Sequence, residues 1–124
     1  MSIESSLFTA LSTNVGLSAL IGARLYPDVI PQGATLPCVV YQRISTPRFQ
    51  VLGSTQAVAV SRPRIQFSCW AGTAAGALAV CAALRTALLA TSYAVTLDSE
   101  YTLRDPDSAY FRRNLDVFVA HVGE

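Results

Sequence analysis

The sequence contains no lysine, and only 14% of its 124 residues are charged, whereas about a quarter of the residues in a typical soluble domain are. All nine basic residues are therefore arginine. Two explanations stay open: a composition-wide bias, or a use for guanidinium groups, which form bidentate ion pairs at interfaces. A surface poor in charge suits burial against other copies of the chain or against partners. An alanine-rich composition is an alternative explanation for the small number of charged residues.

Groups for catalysis or metal binding are equally scarce. His121 is the sole histidine, and no CxxC spacing links Cys38, Cys69 and Cys81. A catalytic pair would have to use His121, which lies near the C-terminal end and beside no nucleophile motif. We expect the cysteines to be small buried apolar residues in a reducing compartment. The sequence predicts no catalytic, cofactor-binding or metal-binding residues.

Targeting signals are also lacking. The first residues include Glu4 and no basic stretch, so we expect no signal peptide. The longest apolar run, residues 74–90, contains Arg85 and is mostly alanine. It is too short and too weakly hydrophobic to predict a membrane span, and we expect no membrane association.

The few charges are unevenly distributed. Residues 1–97 carry six arginines and two acidic residues, a net charge of +4, while residues 98–124 carry three arginines and six acidic residues, a net charge of −3. Opposite charges on two parts of one chain permit head-to-tail contacts between copies. They equally permit pairing inside one sheet. The total of +1 indicates no strong nucleic-acid binder.

Periodicity predicts an α+β fold. Helical spacing covers residues 3–13 and, after a Thr73 cap, Ala74–Leu89, with a short turn at residues 17–21 that ends at Gly22. β-rich segments cover residues 38–44, 55–70 (divided by Pro63) and 94–103, and a return strand follows the turn residues 105–107. We expect one domain over residues 1–124: a mainly antiparallel sheet with two helices packed on one face and a C-terminal β-hairpin.

The core follows from the same periodicity. Apolar residues alternate along the predicted strands and recur every three or four residues along the long helix. The residues expected between sheet and helix are Ile65, Phe67, Cys69, Leu78, Cys81, Leu84, Leu88, Leu115 and Val117.

The segment 46–62 is marked by Pro47 and Gly53, and we expect it to form a partner-contacting arm outside the core; a surface loop without a role is the alternative. Arginine and aromatic residues, which interfaces favour, cluster around it. The predicted protein-interface residues are Arg43, Arg48, Phe49, Arg62 and Arg64. The same residue types can contact single-stranded nucleic acid, which is a second interpretation.

The acidic residues of the predicted C-terminal hairpin leave one enzymatic interpretation open. Asp98, Glu100 and Asp116, with two further aspartates in the turn, could provide paired carboxylates for a small hydrolase. A solvated hairpin face explains them as well, because aspartate is a standard turn residue.

A succession of short motifs resembles a known family. The motifs are LYP at 25–27, PQGA at 31–34, LPCVVYQ at 36–42, RIQFSCWA at 64–71 before an alanine-rich helix, and YFRRNLD at 110–116. In this order they resemble the tail-completion family of siphophages and prophages, also called the tail terminator or head–tail joining family. Cys38, where an aromatic or other apolar residue often follows the proline, and the absence of lysine are departures.

The resemblance implies a structural virion protein, not an enzyme, that is assembled in the bacterial host cytoplasm and placed in the tail or neck. It implies a ring, typically a hexamer, which caps the tail tube, stops tube polymerisation and offers a head–tail joining surface. The implied partners are other copies, the tail tube protein and the head–tail connector, while genomic DNA only passes through the lumen. Another connector or minor tail protein is the alternative, and a small hydrolase is a more distant one.

Overall fold

The structure, a computed structural model, describes residues 3–29, 33, 35–45, 48–49, 60–61, 63–91, 93–104 and 110–122. In this part of the chain the helices are α1 (Ile3–Ser12), α2 (Val15–Ile21) and α3 (Ala74–Leu89). The strands are β1 (Leu25–Pro27), β2 (Cys38–Ser45), β3 (Arg48–Phe49), β4 (Val60–Ser61), β5 (Arg64–Ala71), β6 (Ala94–Arg104) and β7 (Phe111–Val122).

Side-chain caps determine where two of the helices begin. The Thr73 side chain accepts a hydrogen bond from the Gly76 N–H at 3.0 Å and starts α3 at the predicted residue. The Asn14 side chain likewise accepts from the Leu17 N–H at 3.0 Å and starts α2. The turn predicted at residues 17–21 is therefore part of α2, a short helix in addition to the two predicted ones. It ends at Gly22, which has a φ of 59°.

The sheet is mostly antiparallel, as predicted. Its body has the order β1-β2-β5-β7-β6, and the predicted C-terminal hairpin is the β6–β7 pair. The pairing of β1 with β2 is parallel. The sequence did not indicate β1, because three residues ending at Pro27 are too few to show alternation. The turn predicted at residues 105–107 lies outside the described residues.

One long β-hairpin runs through the sheet. β2 pairs with β5 from Cys38 to Arg43, and the register then shifts at a bulge between Arg43 and Ser45. The last pair of β2 and β5, Ser45 with Arg64, has the same register as the pairing of β3 with β4. On the other side, β4 and β5 also share one register along β7. Pro63 lies directly before β5, where its carbonyl accepts from the Val119 N–H at 3.1 Å. This placement agrees with the prediction that proline divides the β-rich stretch.

The core lies between the sheet and the helices, and eight of the nine predicted core residues are buried there. Leu78 is the exception, because 48% of its surface is exposed. The placement of Leu78 in the core is therefore wrong, whereas that of Cys81, Leu84 and Leu88 is confirmed. Since α3 is apolar on nearly every side, periodicity did not separate Leu78 from the inner face. Packing buries Ala77, Val80 and Ala87 beside the three confirmed residues.

Candidate interface

The alternation along β5 and β7 gives the sheet two chemically different faces. Ile65, Phe67 and Cys69 point toward the helices, as predicted. The opposite face, called the open face here, carries polar and aromatic side chains. These residues are Arg64, Gln66, Ser68 and Trp70 of β5 and Arg112, Asn114, Asp116 and Phe118 of β7.

An ion-pair network on the open face centres on Arg64. Its Nη2 atom lies 2.8 Å from Asp116 Oδ2 and 3.3 Å from Asp98 Oδ2. Ser99 Oγ also donates to Asp116 Oδ2 at 3.3 Å. The hydrogen bond to Asp116 raises the pKa of Arg64 above its ordinary value. A basic residue of the N-terminal part thus pairs with acidic residues of the C-terminal part inside one sheet.

Amide and aromatic groups continue this network along the open face. Gln66 Nε2 donates to Tyr101 Oη at 2.7 Å, and the Arg112 guanidinium lies 5.0 Å from the centre of the Trp70 ring. Asn114 and Asp116 are each only 3% exposed, so the solvated hairpin face considered for the acidic residues does not describe Asp116. The side-chain Oδ1 atoms of Asn114 and Asp116 find no hydrogen-bond partner in the described part of the protein. Tyrosine, tryptophan and arginine beside buried amides are typical of contact surfaces.

A second ion-pair cluster lies on the helix side of the sheet, around Glu100 of β6. Its Oε2 atom is 2.7 Å from Arg85 Nη1 of α3 and 3.2 Å from Arg113 Nη2 of β7. The Cys81 thiol donates to Oε1 at 2.7 Å. The hydrogen bond from Arg113, opposed by burial, lowers the pKa of Glu100 below its ordinary value. This carboxylate therefore connects three elements of the protomer.

The three cysteines are buried and free, in agreement with the prediction. A hydrogen bond with Cys81, together with burial, raises the pKa of Cys69 well above its ordinary value. Burial likewise raises the pKa of Cys38. Protonated, enclosed thiols are chemically inert. The sequence did not indicate that Cys81 also serves as a hydrogen-bond donor to a carboxylate.

The predicted interface arginines lie at separate places. Arg43 lies on the helix side of β2 and pairs with Glu4 of α1, whereas Arg64 lies on the open face. Arg48 and Phe49 form β3, their side chains lie outside the described part, and Arg62 lies outside the described residues altogether. The interface role of these five residues stays a prediction.

The groups proposed for hydrolysis do not form one cluster among the described residues. Asp98 and Asp116 share Arg64 on the open face, while Glu100 lies on the helix side. His121 pairs through its backbone with Ser61 of β4, and its side chain is outside the described part. Within that part, no three histidine, cysteine or acidic side chains lie close enough to hold a metal ion. The described helices include none with the length and apolar character needed to cross a membrane.

Fold and charge pattern together define a class: a small two-layer α+β domain in which the described charged groups pair largely with one another. The chain belongs to the family of the tail completion protein gp17, whose model matches residues 5–121. The predicted family is thereby confirmed. As a family member the chain is a structural protein of the virion tail and not an enzyme, and it assembles with other tail and head components.

The fold has a counterpart among solved structures. A chain in the structure of the virion of a native gene transfer agent particle superposes with a TM-score of 0.72. The two chains are 18% identical, and the similarity covers 98% of this chain and 96% of the other. At this identity the likeness shows a shared fold. No protein of curated function matches the sequence significantly.

Proposed function

We propose that the chain closes the end of the phage tail tube as a ring, in the simplest case a hexamer. The ring stops polymerisation of the tube and offers a surface to the head–tail connector. The observation that carries this proposal is the family match over residues 5–121, which includes nearly the whole domain. Genomic DNA passes through the lumen of the ring.

The mechanism is capping. A tube grows because each ring exposes an edge that accepts the next ring. A terminator matches this edge on one side and presents a different surface on the other, so that no further tube subunit can bind. Around the ring, each copy contacts its neighbours through two different surfaces, as closed cyclic symmetry requires.

The end of the long hairpin provides a suitable contact element for the tube or the connector. β3 and β4 join β7 at residues 121–122, whereas the pairing of β6 with β7 begins at Ala120. In the described part, the β3–β4 end therefore extends beyond the five-stranded body of the sheet. This position favours the arm predicted for residues 46–62, with Arg48, Phe49 and Arg62 on it.

Tail assembly in cells tests the proposal. Without the chain, we expect tubes of uncontrolled length that do not join heads, and supplying the chain should restore both properties. Electron microscopy of tails that carry a labelled chain should show a ring at the end nearest the head. Tubes of normal length that join heads in the absence of the chain would contradict the proposal. Label at another position in the virion would favour a connector or minor tail protein.

A further inference from the structure

The helices present surfaces almost without charge. Residues 5–23, which cover α1 after its first two residues and all of α2, contain no aspartate, glutamate, lysine or arginine, and residues 71–97 contain only Arg85. Arg85 is engaged by Glu100, and Glu4, which precedes the first stretch, is engaged by Arg43. Exposed helices of soluble domains usually carry charged residues on their outer side. This surface therefore differs from one adapted to permanent contact with water.

The outer side of α3 is apolar. Leu78 is 48% and Leu89 is 60% exposed, and the remaining outer positions are mainly alanine. Beside them lies a cavity of about 240 Å³ that Ala75, Leu78 and Phe111 help to line, together with Arg113, whose charge is paired with Glu100. A helix that is apolar on every side is normally buried on every side. Only the inner side of α3 is buried within the protomer.

A second apolar surface is formed by α1 and α2. Val15 is 81% exposed, and Phe8 and Leu20 are each nearly 40% exposed. An open cavity of about 330 Å³ between the two helices is lined mainly by apolar groups, including Leu11 and Ile21. This surface contains both protruding side chains and a recess that can accept a leucine.

We propose that the outer surface of α3 in one copy docks on the α1–α2 surface of the next copy. Burial of an unpaired charge is costly, so the occupant of the α3 surface must itself be free of charge over a similar area. The chain carries such a surface on α1 and α2, and the two surfaces are different. A contact between different surfaces repeats from copy to copy and can close a ring. The inference rests on the ring assembly of the proposed function.

Two single substitutions test this docking. Leu78→Glu places a charge on the α3 surface, and Val15→Glu places one on the α1–α2 surface. Both side chains are exposed in the protomer, glutamate is a good helix former, and residue 15 begins α2, where an acidic group is favourable. Circular dichroism should therefore show folded variants. Each variant alone should self-associate at least about tenfold more weakly than the wild type in sedimentation equilibrium.

The mixture of the two variants gives the sharpest result. Each variant keeps the surface that the other has lost, so that one intact contact remains, and the mixture should form a one-to-one dimer and nothing larger. Leu78→Met, which keeps the size without the charge, should assemble like the wild type.

The same variants are compared in tails assembled in cells, so that a need for the tube as template does not hide the outcome. If either variant alone forms the same rings as the wild type, the proposed docking is wrong, while the proposed function still stands. Stable dimers of each variant alone would show contacts between like surfaces and would also overturn it. A wild type that neither self-associates nor occurs in several copies per tail would overturn both proposals.

Discussion

At the scale of single residues, the charged side chains that the structure describes act mainly inside the protomer. The uneven charge of the two parts of the chain permitted either contacts between copies or pairing within a sheet. The structure shows pairing within the protomer: Arg64 pairs with Asp98 and Asp116, and Arg85 pairs with Glu100. The described charges are thus largely used before any partner binds. Contacts between copies must then depend mainly on apolar surface or on the arm.

Glu100 makes stability depend on pH. Its pKa is lowered from the ordinary value of 4.5, so its contribution is fully present above that value and is lost as the pH falls through the lowered pKa. Glu100→Gln should destabilise the protomer by about 1–3 kcal/mol at neutral pH, because it removes hydrogen bonds from Arg85 and Arg113. In urea unfolding, the gap between variant and wild type should narrow below about pH 4.

The matched control for Glu100 is Arg113→Gln, which removes the first cause of the lowered pKa and should flatten the acid dependence of the wild type. A gap between Glu100→Gln and the wild type that stays constant down to about pH 3 would contradict the assignment.

Two apolar residues test the placement of the core. Phe67 is 1% exposed, so Phe67→Ala should lower the free energy of unfolding by roughly 3–5 kcal/mol through lost burial and a cavity. Leu78→Ala, at a position that is 48% exposed, should cost less than about 1 kcal/mol in the monomer. Chemical denaturation of monomeric protein measures both. Equal losses for the two variants would mean that the inner face of α3 is assigned incorrectly.

At the scale of elements, alternation and capping were the reliable signals. They placed α3 at the residues that the structure shows, and they separated the two faces of β5. They could not show that β2 and β3 share a register, because register depends on pairing with a distant strand. They assigned Cys81, Leu84 and Leu88 of α3 to the core correctly but also Leu78, because apolar residues on nearly every side of α3 weaken the contrast on which periodicity depends.

The arm is the element with the clearest predicted function. Arg48→Glu combined with Arg62→Glu should leave the protomer folded and weaken ring formation or attachment to the tail. The loss should be largest at low ionic strength, because salt screens both the original attraction and the new repulsion. Pull-down of tails and counts of head-joined particles measure it.

Arg48→Lys with Arg62→Lys keeps the charge of the arm and should assemble normally. If the charge-reversed protein joins tails to heads at the wild-type rate, the contacts lie elsewhere.

At the scale of the whole molecule, the α+β class, the mostly antiparallel sheet and the family followed from the sequence. The candidate interface followed only in part. The burial of Asn114 and Asp116 could not be predicted, because it depends on contacts with side chains of other strands, Tyr101 for Asn114 and Arg64 for Asp116. The single domain over residues 1–124 and the ring stay predictions.

The shared register of the long hairpin has a mechanical consequence. β5 lies between β2 and β7, so a pull on the β3–β4 end along the strands loads the flanking ladders of hydrogen bonds in shear. Ladder bonds lie perpendicular to antiparallel strands, so shear strains many of them at once, whereas a sideways pull opens them one after another. The fold therefore resists tension applied through this end, because the load is distributed over all the hydrogen bonds along the paired strands.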